Sequence, residues 1–335
     1  MSAEPAVTGV VRFGVLGCAS FAWRRMLPAL RAHPRTEVAA VASREPAKAA
    51  RFAAEFRCAA TGYDELLGRD DIDVVYLPLP LALRPRWIEA ALRAGKHVLA
   101  EKPLALRPWD ARRLVRLAAN HGLLLRDNFL FPHHPQHAQV RELLAAGRLG
   151  RLRAFHGSFC IPPLPPHDVR YRRELGGGAL LDVGVYPLRA AQLLLGGDIR
   201  VVGASLLVDD RRGVDVAGQA LLVTKDGVLA TIGFGFEHSY ECSYSLHGTA
   251  AAARLDRAYT PPADWRPVLR IEDEAVPLEP ADQIAAAVGS FADAVLAGRS
   301  ARHPAEARWC AHAVRTVELA EQVREMAITG GWRVA

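Results

Sequence analysis

VVRFGVLGCASFA, Val10 to Ala22, decides the fold. Its first half is an unbroken apolar run ending in glycine, which reads as a strand buried on both faces. Its second half leads into FAWRRMLPALRAHP, where Phe21, Met26, Leu27 and Leu30 recur at helical spacing before Pro34 stops the helix. The turn itself, Gly17-Cys18-Ala19-Ser20-Phe21-Ala22, is a GxGxxG pattern with alanine at the second and third glycine positions. Gly17 allows the tight turn, Ala19 is small enough for close backbone approach to a pyrophosphate, and Ala22 lets helix pack on strand. The helix start offers free N–H groups and the positive end of its dipole to phosphate oxygens. These six residues, with Trp23 and Arg24 in the next turn, are candidates for holding a dinucleotide. An ordinary packed strand-to-helix turn has the same small residues, so the surroundings must decide.

The surroundings repeat the pattern. VAAVAS (Val38–Ser43), DIDVVYLPLP (Asp71–Pro80), HVLAEKP (His97–Pro103) and LLLRDNF (Leu123–Phe129) read as strands, with helical segments between them. Alternating strands and helices predict a parallel, doubly wound sheet covered on both faces. After about residue 130 the rhythm changes. LRAFHGSFC is a strand, Ala179 to Leu195 a helix, and Val201 to about Leu278 alternates between glycine turns as antiparallel strands do. Ala305 to Met326 is a long closing helix. The expectation is an α/β chain of two domains: residues 1–128, doubly wound and dinucleotide-binding, and residues 129–335, an α/β domain with a large, mostly antiparallel open sheet for substrate binding and oligomerisation.

The bulk properties agree. A chain of 335 residues with 50% hydrophobic content has the size for two cores. No apolar run reaches the ~18 residues of a membrane span, and the first ten residues lack the layout of a signal peptide. The expected location is therefore cytoplasmic, without membrane partners. Five scattered cysteines with no CxxC pair read as reduced thiols. The net charge of +6 comes largely from arginines spread over helices, not from basic blocks interleaved with aromatics. That argues against nucleic acid and suits an anionic small molecule.

The second strand bears on the choice of dinucleotide. An NAD site usually places Asp or Glu about 20 residues beyond the glycine turn, on the ribose hydroxyl. Here the strand ends in Ala42-Ser43-Arg44, with Lys48 one turn into the helix. A hydroxyl and two cations suit a 2′-phosphate, so NADPH is expected, although Glu45 lies close by.

Lys102, in Leu99-Ala100-Glu101-Lys102-Pro103, stands at the carboxyl end of its strand, where ligands of open α/β sheets bind. Pro103 limits the backbone after it, and Glu101 is placed to orient the lysine or line a nicotinamide pocket. A second cluster is GGGALLDVGVYP, Gly176 to Pro187, in which Asp182 and Tyr186 are four apart and share a helix face. Pro187 predicts a bent or short helix there. Reducing a ketone needs hydride at carbon and a proton at oxygen. A phenol near an ammonium can supply the proton, because the positive charge stabilises the phenolate left behind.

On Gly17, Glu101-Lys102-Pro103 and Gly177 to Pro187 together, the chain resembles the Gfo/Idh/MocA oxidoreductase family along nearly its whole length. The resemblance implies a Rossmann domain, a C-terminal α/β domain often used for oligomerisation, and proton transfer by Lys102 and Tyr186 with Asp182 in the substrate pocket. Phe21 to Leu30 and Asp127 to His137 resemble the branch of nucleotide-sugar C-3 ketoreductases of antibiotic deoxysugar biosynthesis, of the digitoxose type. That branch implies NADPH-dependent reduction of the 3-keto group of a dTDP-3,4-diketo-2,6-dideoxyhexose. A substrate diphosphate would explain Arg25 beside Arg24. Many relatives have PNxxH after the third strand; this chain has Pro80-Leu81-Ala82-Leu83-Arg84, so the nicotinamide side is expected to be lined differently. Leu79, Pro80 and Arg84 are cofactor candidates there.

Asn128, at a strand end, is a candidate substrate contact, as are Tyr240 and Thr260; Arg170 is a candidate for cofactor phosphate. His133, His134 and His137 in FPHHPQH are loosely spaced and interrupted by Pro135, so no metal is expected and they should border the cleft or the surface. Oxidation of a free sugar or polyol, and a non-catalytic dinucleotide-binding regulator, are the rival functions. A homodimer or homotetramer is expected.

Overall fold

In a computed structural model the described residues are 9–196 and 198–329, and they form two compact units. The first is built from β1 (Val11–Leu16), α1 (Leu27–Ala32), β2 (Thr36–Ala42), α2 (Pro46–Phe56), β3 (Ala59–Thr61), α3 (Tyr63–Leu67), β4 (Val74–Leu77), α4 (Arg84–Arg93), β5 (His97–Ala100), α5 (Pro108–His121) and β6 (Leu125–Asp127). The six strands are all parallel, in the order β3-β2-β1-β4-β5-β6. Every side chain of β4 is buried, which is why that strand is apolar without alternation. β3, three residues long, is too short to show in the sequence.

The second unit contains α6 (Gln136–Ala145), β7 (Leu152–Cys160), α7 (Val185–Leu195), β8 (Ile199–Asp209), β9 (Val214–Thr224), β10 (Leu229–Gly235), β11 (Glu241–Gly248), β12 (Ala252–Asp256), β13 (Val268–Ile271) and β14 (Glu274–Pro277). After these come α8 (Gln283–Leu296), α9 (Pro304–Met326) and β15 (Ala327–Thr329). Nine strands form one sheet, β14-β13-β12-β11-β7-β10-β9-β8-β15, antiparallel except where β10 meets β7 and β15 meets β8. Side chains alternate along β10, with Ala230, Ile232 and Phe234 buried. Two glycines let the α7 segment lie close on that face. A Cβ on Gly184 would stand 2.9 Å from the Phe234 ring, and one on Gly157 2.9 Å from Pro187.

A single cut after residue 128 needs correction. Ile284–Ala313 belongs to the first unit. Val288, Phe291, Ala292 and Ala294 of α8 join the cluster of Val11, Phe13 and Val15, and the Phe13 and Phe291 ring centroids are 6.2 Å apart. The return is also tied by a buried ion pair, Arg126 to Glu306 at 2.5 Å. A parallel sheet needs helices over both faces, and this chain supplies one of them from the far end of its sequence.

Candidate active site

In the first unit the connections reverse direction between β1 and β4, and the crevice beyond the carboxyl ends of those strands is where such sheets bind ligands. Gly17 follows β1. Its N–H donates to the Ala42 carbonyl over 3.0 Å, its φ is +124°, and a Cβ there would be 2.8 Å from Leu79 Cδ2. Only glycine meets both demands. Leu79, just beyond β4, thereby closes against the turn. Ala22 is fully buried, Ala19 is half-buried, and Ser20, Arg24 and Arg25 are exposed, as is Phe21 at the margin. The helix opens as a π segment, Ala22–Met26, a widened turn of the kind found at functional sites. Two candidates of the turn have packing roles in their side chains. Trp23 meets Phe52 and Phe56 edge-on at 4.7 and 5.3 Å, fixing the helix against α2. Cys18 is buried, which pushes its thiol up to about 11 and leaves it inert at neutral pH.

Beyond β2, the Ser43 hydroxyl accepts the Glu45 N–H over 3.1 Å and shapes the turn into α2. Arg44 is exposed and Lys48 lies in the first turn of α2. The residues present fit a phosphate-bearing ribose, with a hydroxyl and two cations around one turn.

Beyond β5, Glu101 Oε1 accepts from Tyr76 Oη at 2.8 Å and from Asn128 Nδ2 at 2.9 Å. Tyr76 is wholly buried, and burial with Glu101 beside it holds its phenol well above the ordinary range. Asn128 is thus corrected as a substrate contact: it is 4% exposed and its amide faces inward, to Glu101 and to Met26 Sδ at 3.6 Å. Lys102, partly exposed, precedes Pro103 through a cis peptide bond. Arg84 is corrected too. Expected to face cofactor, it is buried and serves the main chain. Nη1 donates to the carbonyls of Glu101 (2.9 Å), Lys102 (2.7 Å) and Pro103 (2.8 Å), and Nε to that of Leu79 (2.7 Å). A planar, permanently charged fork can gather four carbonyls; an ammonium or imidazole cannot.

In the second unit Asp182 lies on a π segment, Leu180–Gly184, that runs directly into α7, whose second residue is Tyr186. The change of helix type just ahead of Pro187 accommodates a proline in the first turn of α7. The glycine run has a physical reason. A Cβ on Gly177 would stand 2.4 Å from the Arg170 carbonyl oxygen, and one on Gly178, at φ +120°, 2.4 Å from Asp215 Oδ1. Asp215 reaches in from β9 and its Oδ2 accepts the Leu180 N–H at 2.6 Å, so a carboxylate caps the helix start. Burial raises its carboxyl above the usual range, against the pull of that N–H.

Arg170 sits beside this segment, with Nε donating to Asp182 Oδ2 at 2.6 Å and Nη1 to Asp168 at 3.2 Å. The field of Asp182, then of Asp168, holds its guanidinium firmly charged. Arg170 is therefore corrected from a phosphate ligand to the partner of two carboxylates, one of them the candidate substrate residue. Tyr186 is half-buried among rings, Phe159 at 5.1 Å, Tyr259 at 5.8 Å and Phe131 at 6.2 Å between centroids. Tyr240 and Thr260 meet hydroxyl to hydroxyl at 3.1 Å, and burial pushes the Tyr240 phenol up to about 12.

His137 lies neither on a rim nor on the surface. It is fully buried, Nδ1 against Tyr244 Oη at 3.0 Å and Nε2 against the Ala258 carbonyl at 2.9 Å. His134 is buried as well. Tyr76 and Asp215 went unrecognised in the sequence. Each acts through a partner 25 to 35 residues away, Glu101 and Leu180 respectively, and no local motif announces such a pairing.

A sheet of this order, with a glycine turn at its point of reversal, defines a dinucleotide-binding protein. Residues 11–129 match the oxidoreductase family with an NAD-binding Rossmann fold, and residues 137–254 match the GFO/IDH/MocA C-terminal domain. The chain belongs to the Gfo/Idh/MocA oxidoreductase family. It is 54% identical over 302 residues to a dTDP-3,4-didehydro-2,6-dideoxy-alpha-D-glucose 3-reductase of Saccharopolyspora spinosa, covering 89% of this chain and 91% of that one. It is 52% identical over 330 residues to the enzyme of the same name from Streptomyces violaceoruber, covering 95% of each. Among solved structures it is similar to a 3-ketoreductase from Actinomadura kijaniata in complex with NADP and TDP-benzene. That match has a TM-score of 0.91 and 48% identity, over 96% of this chain and 99% of that one.

Proposed function

We propose that the protein is an NADPH-dependent reductase of the C-3 keto group of a dTDP-linked 3,4-diketo-2,6-dideoxyhexose, acting in deoxysugar biosynthesis. The observation that carries this reading is the 54% identity to a reductase of that name along 89% of the chain. The site residues support it. Gly17 to Ala22 cradle the pyrophosphate, and Ser43, Arg44 and Lys48 hold the adenosine 2′-phosphate. Leu79, Pro80 and Glu101 line the nicotinamide side.

NADPH, when bound, supplies hydride to the carbonyl carbon. The chain supplies the proton at oxygen. Lys102 and Tyr186 serve that one oxygen, and the ammonium lowers the cost of the phenolate that remains once the phenol has donated. With either removed, the other acts through a water and keeps part of the rate. Asp182, oriented by Arg170, binds the sugar, as do Tyr240 and Thr260, and Arg25 meets its diphosphate. Association as a homodimer or homotetramer through the large sheet is part of the same reading. The face bearing Ser205, Gln219, Thr231 and Ser245 is open and lined by small polar groups, and a monomer in sedimentation would refute the assembly.

The test is turnover with the keto-sugar nucleotide and either NADPH or NADH, followed by nicotinamide absorbance. Consumption with a markedly lower KM for NADPH is expected. A strong NADH preference, or no consumption with any keto-sugar nucleotide, would overturn the reading.

A further inference from the structure

One guanidinium of the second unit is fixed in place with no anion to meet. Arg257 follows β12 and lies close to two rings, its Cζ 5.1 Å from the Tyr240 centroid and 4.9 Å from that of Trp265. It makes no hydrogen bond or ion pair among the described residues. Two acids on β11 and β12 are engaged elsewhere: Arg254 takes Glu241 at 3.2 Å and Asp256 at 2.8 Å. The backbone at Arg257 is left-handed, with φ at +46°. A residue with a Cβ is disfavoured there, and arginine is not among the residues that tolerate it best. The flanks hold it so: Ala258 N–H donates to the Cys242 carbonyl at 2.8 Å, and Tyr259 is fully buried.

A guanidinium that spends no N–H on a neighbouring side chain keeps its donors for a ligand. Its five hydrogens lie in its plane and form a fork, and the two nearby rings offer the charge a favourable surface. That fork matches two oxygens of a phosphate. Both flanking rings are substantially exposed, Tyr240 at 41% and Trp265 at 38%, so the fork is reachable. Tyr240 also joins the aromatic group around the candidate proton donor. Tyr240 meets Phe159 at 6.4 Å, Phe159 meets Tyr186 at 5.1 Å, and the Tyr240 hydroxyl holds that of Thr260.

We propose that Arg257, held close to the Tyr240 and Trp265 rings, is a docking point for the diphosphate of the nucleotide-linked substrate in addition to Arg25. This rests on the reductase reading and names a residue that binds its leaving end, away from the carbonyl. The sugar ring then reaches along Tyr240 and Phe159 toward Tyr186. The cofactor also carries a pyrophosphate, so the test must separate the two.

Calorimetric titrations with dTDP alone and with NADPH alone, on wild type, Arg257→Met and Arg257→Lys, do so. Loss of a charge-assisted fork is expected to weaken dTDP by about 10- to 100-fold in Arg257→Met, with Arg257→Lys between. NADPH affinity and the melting temperature stay as in wild type, and the KM for the sugar nucleotide rises more than kcat falls. Equal dTDP affinity in wild type and Arg257→Met overturns the assignment, as does a loss of NADPH affinity instead. If Arg257→Met fails to fold, Arg257→Lys decides by the same comparison. Wild type that binds no dTDP at all would instead overturn the reductase reading beneath it.

Discussion

Arg84 Nη1 donates to the main-chain carbonyl of Lys102 over 2.7 Å, and to the carbonyls on either side of it. The candidate catalytic lysine is thus positioned through its own backbone by a buried cation from α4. Replacing Arg84 with Met leaves buried carbonyls without a donor, which is expected to cost about 2–4 kcal/mol in urea unfolding. It should also lower kcat by roughly 10- to 100-fold through displacement of Lys102, a geometric sensitivity usual for positioned groups. A double-mutant cycle separates positioning from general damage. In a Lys102→Ala background the further loss of kcat on changing Arg84 should nearly vanish; fully additive losses would contradict the role.

Gly178 and Asp215 form a comparable pair in the second unit. Gly178→Ala puts a Cβ 2.4 Å from Asp215 Oδ1 at a φ of +120°. Strain and collision together should destabilise by about 2–4 kcal/mol and reduce kcat, since Asp182 and Tyr186 ride on the capped segment. Asp215→Ala removes the cap and also the obstacle. The double variant should therefore be closer to Asp215→Ala alone than the sum of the two, and strict additivity in thermal unfolding would count against the arrangement.

His137 makes stability fall in mild acid. Its burial depresses the imidazole from 6.5 to about 3. Between those values the unfolded chain binds the proton and the folded chain does not. Stability therefore rises with pH across that window, is complete above pH 6.5, and is lost as pH falls below it, with a limiting slope of about 1.4 kcal/mol per pH unit from this one group. Burial depresses His97 and His134 in the same direction. Denaturant unfolding between neutral pH and mild acid should show the decline, and His137→Asn should flatten it. An unchanged profile in that variant would refute the assignment.

Much of this was legible in the chain. Val10 to Ala22, Glu101-Lys102-Pro103 and Gly176 to Pro187 are contiguous, and each states its constraint locally: a strand that must turn, a lysine at a strand end, glycines that must admit a neighbour. What was not legible depends on distant pairing. Nothing near Phe291 says that it packs on Phe13. Nothing near Arg84 says that its fork meets the carbonyls around Lys102, and a cation beyond a strand end reads as a phosphate ligand until its partners are seen. Asn128 and Arg170 misled for the same reason, since their residue types suit a ligand but Glu101 and Asp182 reach them first. His137 read as peripheral because its apolar surroundings, Phe131 and Tyr244, are assembled only by the fold.

On the proposed reading, the cofactor preference rests on a small set of residues after β2. Arg44→Ala is expected to raise the KM for NADPH by about 10-fold while leaving that for NADH nearly unchanged, because only NADPH brings the phosphate. Adding Ser43→Asp places a carboxylate where that reading puts the phosphate and should narrow or invert the preference. Equal effects on both dinucleotides would assign these residues a merely structural part.

The most direct measurement is steady-state reduction of the dTDP-linked diketo sugar by wild type, Lys102→Ala, Tyr186→Phe and the double variant, with NADPH binding checked in each. The account predicts partial rates in both single variants and a collapse of kcat, with NADPH still bound, when the ammonium and the phenol are removed together. Wild-type turnover by the double variant would contradict it.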